Sequence, residues 1–145
     1  MMDINKKIIA FNLAVFISSL FFTAFTVVDL GKIENYKSIL IFLFGAISFL
    51  GGGILEFFVW SANIWFFVSI LSFFKKKYSL SIICSTIAII IASSFIFWNY
   101  ILISENGREG IINTLETGYF LWIAAFLSVL ISAVYSKIKI NKTRI

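Results

Sequence analysis

Four long apolar runs constrain what this chain can fold into more than any other feature of its sequence. They cover residues 8–28, 54–74, 79–103 and 118–136, and each approaches or exceeds the roughly 20 residues that a helix needs to cross a bilayer. Charged residues make up only 13% of the chain, against about 25% in a soluble domain, which leaves too few to cover a water-facing surface. We therefore predict an all-α membrane protein, a four-transmembrane-helix bundle that forms one integral membrane domain over residues 1–145.

A fifth apolar run, residues 38–50, is short for a span and is followed by three consecutive glycines. The basic residues decide its place, because Lys and Arg in short loops stay on the cytoplasmic side. They cluster before the first predicted span and after the second and fourth, so placing these clusters inside leaves 9 basic residues in the cytoplasm and 3 outside. We predict a re-entrant or interfacial helix on the outer face for residues 38–50, and cytoplasmic termini.

Two other arrangements stay open. If residues 38–58 span the membrane and residues 60–74 form a short span, the chain crosses five times, but this inverts the charge bias. Alternatively, the first run is a cleaved signal peptide. Its 21 residues exceed the roughly 7 to 15 of a signal-peptide core and no A-x-A site follows, which favours an uncleaved anchor.

Small residues recur about one turn apart on three of the predicted spans, a spacing that lets membrane helices approach closely. We predict helix contacts along these faces, with a hydroxyl-lined pore as the functional alternative. The faces are Ala10, Ala14 and Ser18; Ser81, Ser85, Ala88 and Ala92; and Ala124, Ser128, Ser132 and Ser136.

The absence of His and the presence of one Cys exclude several kinds of chemistry. The chain holds no internal disulfide, no zinc site of the usual Cys/His type and no Ser/His or Cys/His catalytic pair. We expect no catalytic residue, no metal site and no cofactor, and we predict that the protein is not an enzyme.

Aromatic and polar residues gather towards the predicted outer side, where a membrane-interface belt would account for most of them. We also predict that they wall an outer pocket for a lipid headgroup or a small amphiphile, formed by Glu56, Trp60, Trp98, Asn99, Tyr119 and Trp122. Glu56 is the only acid inside a predicted span. We expect it either to pair near the headgroups with Lys32, Lys37 or Arg108, or to form an ion or proton site.

Asn63 lies about 16 Å from the inner edge of the second predicted span, close to the bilayer midplane. Its amide needs a hydrogen-bond partner there. We predict a polar layer across the bundle that serves as a structural lock or, alternatively, as a ligand site; its other members are Ser18, Ser19, Ser93, Ser94 and Ser128.

Four strings in order resemble a family of small four-helix bacterial inner-membrane proteins that has no established activity. They are SLFFTAF at residues 19–25, WSAN at 60–63, KKYS at 76–79 and GYFLW at 118–122. The resemblance implies the four-span topology and marks Trp60, Asn63, Tyr119 and Trp122 without giving them roles. Thr23 and Ile64 stand where the family tends to have Pro, which puts the kinks of those prolines in doubt.

These features predict a non-enzymatic accessory, interaction or immunity-type membrane protein. The alternatives are a carrier or channel for a small solute or ion, and a protein that binds a lipid or amphiphile in the outer pocket. We expect membrane lipid as a partner, with another membrane protein or a second copy of the chain as further candidates. Nucleic acid is not expected, since the positive excess lies at the predicted inner ends of the spans.

Overall fold

The computed structural model describes residues 4–143 of the chain. Six α-helices, four β-strands and two 3₁₀ segments follow one another along it. In chain order they are α1 (Ile4–Leu20), β1 (Thr23–Asp29), β2 (Lys32–Lys37), α2 (Ser38–Phe44), a 3₁₀ segment (Gly45–Gly51), α3 (Ile54–Trp60), α4 (Ala62–Phe74), α5 (Tyr78–Ser94), a 3₁₀ segment (Phe95–Phe97), β3 (Tyr100–Leu102), β4 (Glu109–Leu115) and α6 (Thr117–Thr143).

An antiparallel sheet with strand order β2-β1-β4-β3 corrects the all-α prediction. It consists of two hairpins that pair through β1 and β4. Two residues with positive φ, Leu30 and Gly31, turn the first hairpin, and Gly107 with φ +84° lies in the turn of the second. Such left-handed residues match the twist of a tight hairpin.

The first predicted span, residues 8–28, is wrong in its second half. Helix α1 ends at Leu20, and β1 begins at Thr23. Thr and Val are stiff at χ1 and favour extended backbone, and β1 gains a hydrogen-bonded neighbour on each side, which buries Val27 completely. The end of the third predicted span is also wrong, because β3 occupies residues 100–102.

Three helical segments in the described part of the chain are long and apolar enough to cross a membrane: Ile54–Phe74, Tyr78–Phe97 and Thr117–Lys142. The first of them combines α3 and α4. Helix α1 has 17 residues, which falls below the roughly 20 of a typical span. The fold is thus a helical bundle with three candidate spans and a sheet. The segment Ser38–Gly51 is a shorter apolar helix, and Gly52 with φ +89° redirects the chain after it.

The buried positions of the helices confirm one predicted small-residue face and correct the other two. Helix α5 packs between α4 and α6, and its face of Ser81, Ser85, Ala88 and Ala92 is buried. On α1, by contrast, Ala10, Ala14 and Ser18 are exposed, and Asn12, Phe16 and Ser19 face the core. On α6 the fully buried positions are Ala125, Phe126, Val129 and Ala133, one residue beyond the first three positions of the predicted face. The buried rings of Phe16, Phe66 and Phe126 pack on one another between these helices, with centroids 4.9 and 5.1 Å apart.

The bundle has two chemically different ends. Asn5 Nδ2 donates to the hydroxyl of Tyr78 at 3.2 Å, which brings the start of α1 to the turn between α4 and α5. This lysine end also holds the end of α6, and its lysines are Lys6, Lys7, Lys75, Lys76, Lys77, Lys137, Lys139 and Lys142. The opposite sheet end holds every acid of the described residues: Asp29, Glu34, Glu56, Glu105, Glu109 and Glu116.

Candidate functional site

A cavity of about 540 Å³ lies where the sheet meets the helices. We call it the junction cavity. It is bounded by the start of β1, the end of β2, the segment Ser38–Gly51, helix α3 and the start of α6. Its apolar walls include Leu20, Ala24, Phe25, Leu40, Ile41, Phe42, Phe44, Val59, Phe95 and Ile101.

The segment Ser38–Gly51 is fixed over α3 by one tryptophan. Trp60 Nε1 donates a hydrogen bond to the carbonyl oxygen of Phe42 at 2.9 Å. Gly45 lies so close to the same indole that an added Cβ would be 2.5 Å from Cδ1 of Trp60. A side chain at position 45 would therefore push the segment away from α3 and change the shape of the cavity.

Asn63 links two of the aromatic walls. Its Oδ1 accepts a hydrogen bond from Nε1 of Trp122 at 2.8 Å, and its Nδ2 donates to the carbonyl oxygen of Trp60 at 2.9 Å. Tyr119, beside them, donates its hydroxyl proton to the carbonyl oxygen of Ala92 at 2.8 Å. Together with the bond from Trp60 to Phe42, these bonds fix the rings of Trp60, Tyr119 and Trp122. The polar atoms of the three rings are bonded to protein acceptors.

Four of the six residues predicted to form the outer pocket line the junction cavity: Glu56, Trp60, Tyr119 and Trp122. Trp98 and Asn99 lie outside its walls. The ring of Trp98 packs on Phe95 with centroids 5.3 Å apart, and Asn99 is exposed, with its carbonyl oxygen accepting from the N–H of Ile112 at 2.9 Å. Both follow the 3₁₀ segment that ends at Phe97, where the chain turns into the sheet.

Glu56 does not have the cationic partner that the sequence suggested. Its Oε1 accepts a hydrogen bond from the backbone N–H of Leu102 at 2.9 Å. Arg108, one expected partner, instead pairs with Asp29 at 3.2 Å. Glu56 thus ties α3 to strand β3 across one side of the cavity. No described group of three or more His, Cys, Asp or Glu residues is arranged to hold a metal ion.

The predicted midplane layer is not a connected network. Each of four serine hydroxyls donates to a carbonyl of its own helix: Ser18 to Ala14, Ser19 to Phe16, Ser94 to Ile91 and Ser128 to Ala125. Neither these residues nor Ser93 bonds to Asn63, because a carbonyl three or four residues back is the nearest acceptor for a helical serine. Interhelical serine bonds occur elsewhere, with Ser69 Oγ donating to the carbonyl of Ser81 at 2.8 Å.

The rim of the cavity at the sheet end carries charge. Glu34 and Lys37 of β2 line the cavity and are exposed, and Tyr36 between them stacks on Phe25 at 5.1 Å. Burial raises the pKa of Tyr36, and the carboxylates of Glu34 and Asp29 raise it further. The phenol therefore stays protonated over the physiological pH range and offers a neutral hydroxyl at the rim.

Ser38 is a cavity residue that the sequence reasoning missed. It is 8% exposed, lines the junction cavity, and its Oγ has no hydrogen-bond partner within residues 4–143. Gly118 faces it so closely that a Cβ there would overlap Ser38 Oγ. A serine between a strand and a helix is an ordinary capping residue, so the sequence carries no signal for this position.

Comparisons of the chain with protein-family models, with curated proteins and with solved structures find no match, so the resemblance to the four-helix bacterial family stays a prediction.

Proposed function

We propose that this chain is a non-enzymatic multi-pass membrane protein that binds the hydrocarbon chain of a lipid or similar amphiphile in the junction cavity. The observation that carries the proposal is the cavity itself. Its volume of about 540 Å³ falls within the roughly 300 to 1,000 Å³ typical of small-molecule sites.

The arrangement of the polar groups in the cavity walls favours an apolar ligand, because most of these groups are already hydrogen-bonded to the protein. The indole N–H groups of Trp60 and Trp122 and the hydroxyl of Tyr119 all donate to protein acceptors. A ligand inside the cavity therefore meets mainly ring faces and aliphatic side chains. Burying a methylene group against such walls is favourable by about 0.8 kcal/mol, so a hydrocarbon chain gains binding energy along its length.

The surroundings of the cavity suit a molecule with one apolar and one polar part. Leu40 and Phe44 of the apolar segment Ser38–Gly51 line it and are 50% and 61% exposed. Glu34 and Lys37 line it at the sheet end. An amphiphile can enter from the hydrocarbon side past Leu40 and leave its head group among the charged residues.

The separation of charges supports a bacterial inner-membrane location with cytoplasmic termini. The lysine end has no acid among the described residues, and basic residues favour the cytoplasmic side. We therefore propose that the lysine end faces the cytoplasm and that the sheet and the cavity rim lie on the outer face.

Two other functions stay predictions from the sequence. A carrier or channel needs a polar path through the bundle, but the fully buried rings of Phe66 and Phe126 follow Asn63 and Trp122 by about one turn. This packing argues against conduction. An accessory or immunity-type role is compatible with lipid binding, because a bound lipid can form part of the surface that a partner contacts.

A variant that fills the cavity tests the proposal. Val59 is buried on α3 and lines the cavity, whereas Phe58 on the same helix is 51% exposed and does not. We expect purified wild-type protein and Phe58→Trp to retain stoichiometric lipid after extensive detergent washing, as measured by mass spectrometry. Val59→Trp should retain about tenfold less, which corresponds to about 1.4 kcal/mol of binding free energy. Equal retention by both variants would refute lipid binding in this cavity.

A further inference from the structure

Ser38 offers a hydrogen bond that the protein does not use. Its Oγ is buried without a partner, while its backbone N–H donates to the carbonyl oxygen of Phe22 at 3.1 Å. A hydroxyl that is buried and unpaired is unfavourable, and most such groups in proteins find a protein, water or ligand partner. Because Ser38 lines the junction cavity, a ligand atom in the cavity can supply that partner.

Ser38 differs from the other buried hydroxyl and amide groups around the cavity, because those groups are already hydrogen-bonded within the protein. Ser19 Oγ donates to the carbonyl of Phe16 at 2.6 Å, and Ser48 Oγ donates to the carbonyl of Gly45 at 2.9 Å. The polar atoms of Trp60, Asn63, Tyr119 and Trp122 are bonded as described above. Among the described serine, tryptophan and tyrosine side chains that line the cavity and are at least nine-tenths buried, Ser38 alone has an unpartnered polar atom.

The place of Ser38 in the fold matches the depth of one particular lipid group. Ser38 begins α2 directly after β2, opposite Gly118 at the start of α6 and close to Thr23 at the start of β1. All three residues lie where helices give way to the sheet. Gly118 is the second residue of the candidate span Thr117–Lys142, so with that span in a bilayer Ser38 lies near the boundary between the hydrocarbon core and the headgroups, where the first carbonyl of an acyl chain lies.

We infer that the junction cavity recognises an acyl chain through its carbonyl oxygen, which accepts a hydrogen bond from Ser38 Oγ. This inference rests on the proposed function and adds the chemical class of its ligand. The carbonyl can belong to the ester of a phospholipid or to the carboxylate of a free fatty acid. The ammonium group of the neighbouring Lys37, at the exposed rim, suits the negative charge that both carry close to that carbonyl.

A matched pair of lipids tests the carbonyl directly. Full-length protein in detergent is incubated with an equimolar mixture of dipalmitoyl phosphatidylethanolamine and its dihexadecyl ether counterpart, which has the same head group and chain length but no ester carbonyl. The lipid retained after gel filtration is quantified by mass spectrometry. We expect wild-type protein to enrich the ester lipid about two- to tenfold, the range that one net hydrogen bond gives.

Two variants separate the role of Ser38 from general effects on the cavity. Ser38→Ala should retain both lipids with no preference, and its stability should equal or exceed that of the wild type because it removes an unpaired buried hydroxyl. Ser61→Ala is the control, since it removes a helix hydroxyl that lies outside the cavity walls and is already bonded to the carbonyl of Phe58, and it should keep the wild-type preference. A second arm replaces the ester lipid with palmitate, and the ligand whose retention falls in Ser38→Ala identifies the source of the carbonyl.

Each outcome has one reading. No ester preference in the wild type, a preserved preference in Ser38→Ala, or its loss in Ser61→Ala as well would overturn the inference but leave lipid binding intact. Retention of none of the lipids by the wild type would overturn the proposed function and the inference with it. The wild-type comparison stands even if Ser38→Ala fails to fold.

Discussion

Gly118 is the second residue of α6. We expect one added methyl group at this position to lower the free energy of unfolding, because it would contact packed backbone. A Cβ there would overlap Ser38 Oγ and would lie 2.7 Å from the carbonyl oxygen of Thr23. Ordinary contact begins at 3.4 Å, so the backbone of β1 must move by about 0.7 Å. Forcing extra atoms into a packed site costs about 1 to 3 kcal/mol.

Helix propensity offsets part of that cost. Alanine is favoured over glycine by at most about 1 kcal/mol inside a helix, and by less in its first turn. We therefore expect Gly118→Ala to lower the free energy of unfolding by roughly 1 to 2 kcal/mol. The assay is a denaturant titration in detergent micelles, followed by tryptophan fluorescence.

Two controls test the origin of that loss. Gly51→Ala places its Cβ 3.4 Å from Glu105, at ordinary contact distance, and should change stability by less than about 0.5 kcal/mol. In the Ser38→Ala background, Gly118→Ala no longer overlaps the hydroxyl but still overlaps Thr23, so its loss relative to Ser38→Ala alone should be smaller but not zero. Gly118→Ala as stable as the wild type, or no loss when it is added to Ser38→Ala, would refute the reasoning.

Three further predictions follow from single contacts. Trp122→Phe leaves the buried Oδ1 of Asn63 without a donor and should lower the unfolding free energy by about 0.6 to 1.7 kcal/mol, the range for hydrogen bonds between membrane helices; a double-mutant cycle with Asn63→Ala should give a coupling of that size, and zero coupling would contradict it. Arg108→Gln breaks the pair with Asp29, in which the Arg108 side chain is 43% exposed and the Asp29 side chain 11%; because the arginine is in contact with solvent, the loss of unfolding free energy should stay below about 1 kcal/mol and shrink at high salt, whereas a larger, salt-independent loss would mean that the largely buried Asp29 depends on its partner. Because burial and then nearby carboxylates raise the pKa of Tyr36 above 10.0, folding holds its proton more tightly, and the associated stability is fully present below pH 10 and is lost as the pH rises through the raised pKa. Tyr36→Phe should flatten the fall in stability above pH 10, and an unchanged curve would contradict the assignment.

The helical part of the fold follows from hydrophobic length and small-residue spacing. The candidate spans Ile54–Phe74 and Thr117–Lys142 begin at or within one residue of the predicted starts, and the buried face of α5 is the predicted one. The face on α1 was wrong because small residues at helical spacing also fit a surface that faces lipid. Nothing in the local spacing distinguishes the two cases.

The sheet was missed because apolar strands at the ends of spans extend the same apolar runs. Residues 23–28 continue the run of the first helix, and only the threonines and valines among them favour a strand. A stronger signal lies in the second hairpin. Asn106 and Gly107 form an Asn-Gly pair between apolar segments, which is a typical hairpin turn.

Aromatic composition marked residues near the cavity: four of the six residues predicted for the outer pocket line it, and two do not. Trp98 and Asn99 were assigned to a continuous helix, and the chain leaves the helix before reaching them. Ser38 and Gly118 could not be found from sequence. Their relation depends on the distance between the starts of two elements that are far apart in the chain.

The pairing of the two hairpins also has a consequence for biosynthesis. Val27 of β1 pairs with Ile112 of β4, so the first hairpin leaves the ribosome long before its partner strand exists. At about 5 to 20 residues per second, β1 waits roughly 4 to 17 seconds with one edge open. During this interval the nascent chain carries an unprotected strand edge that can pair with other chains. Slower translation before residue 109 lengthens the exposure, so the yield of correctly assembled protein should depend on codon usage in that stretch of the gene.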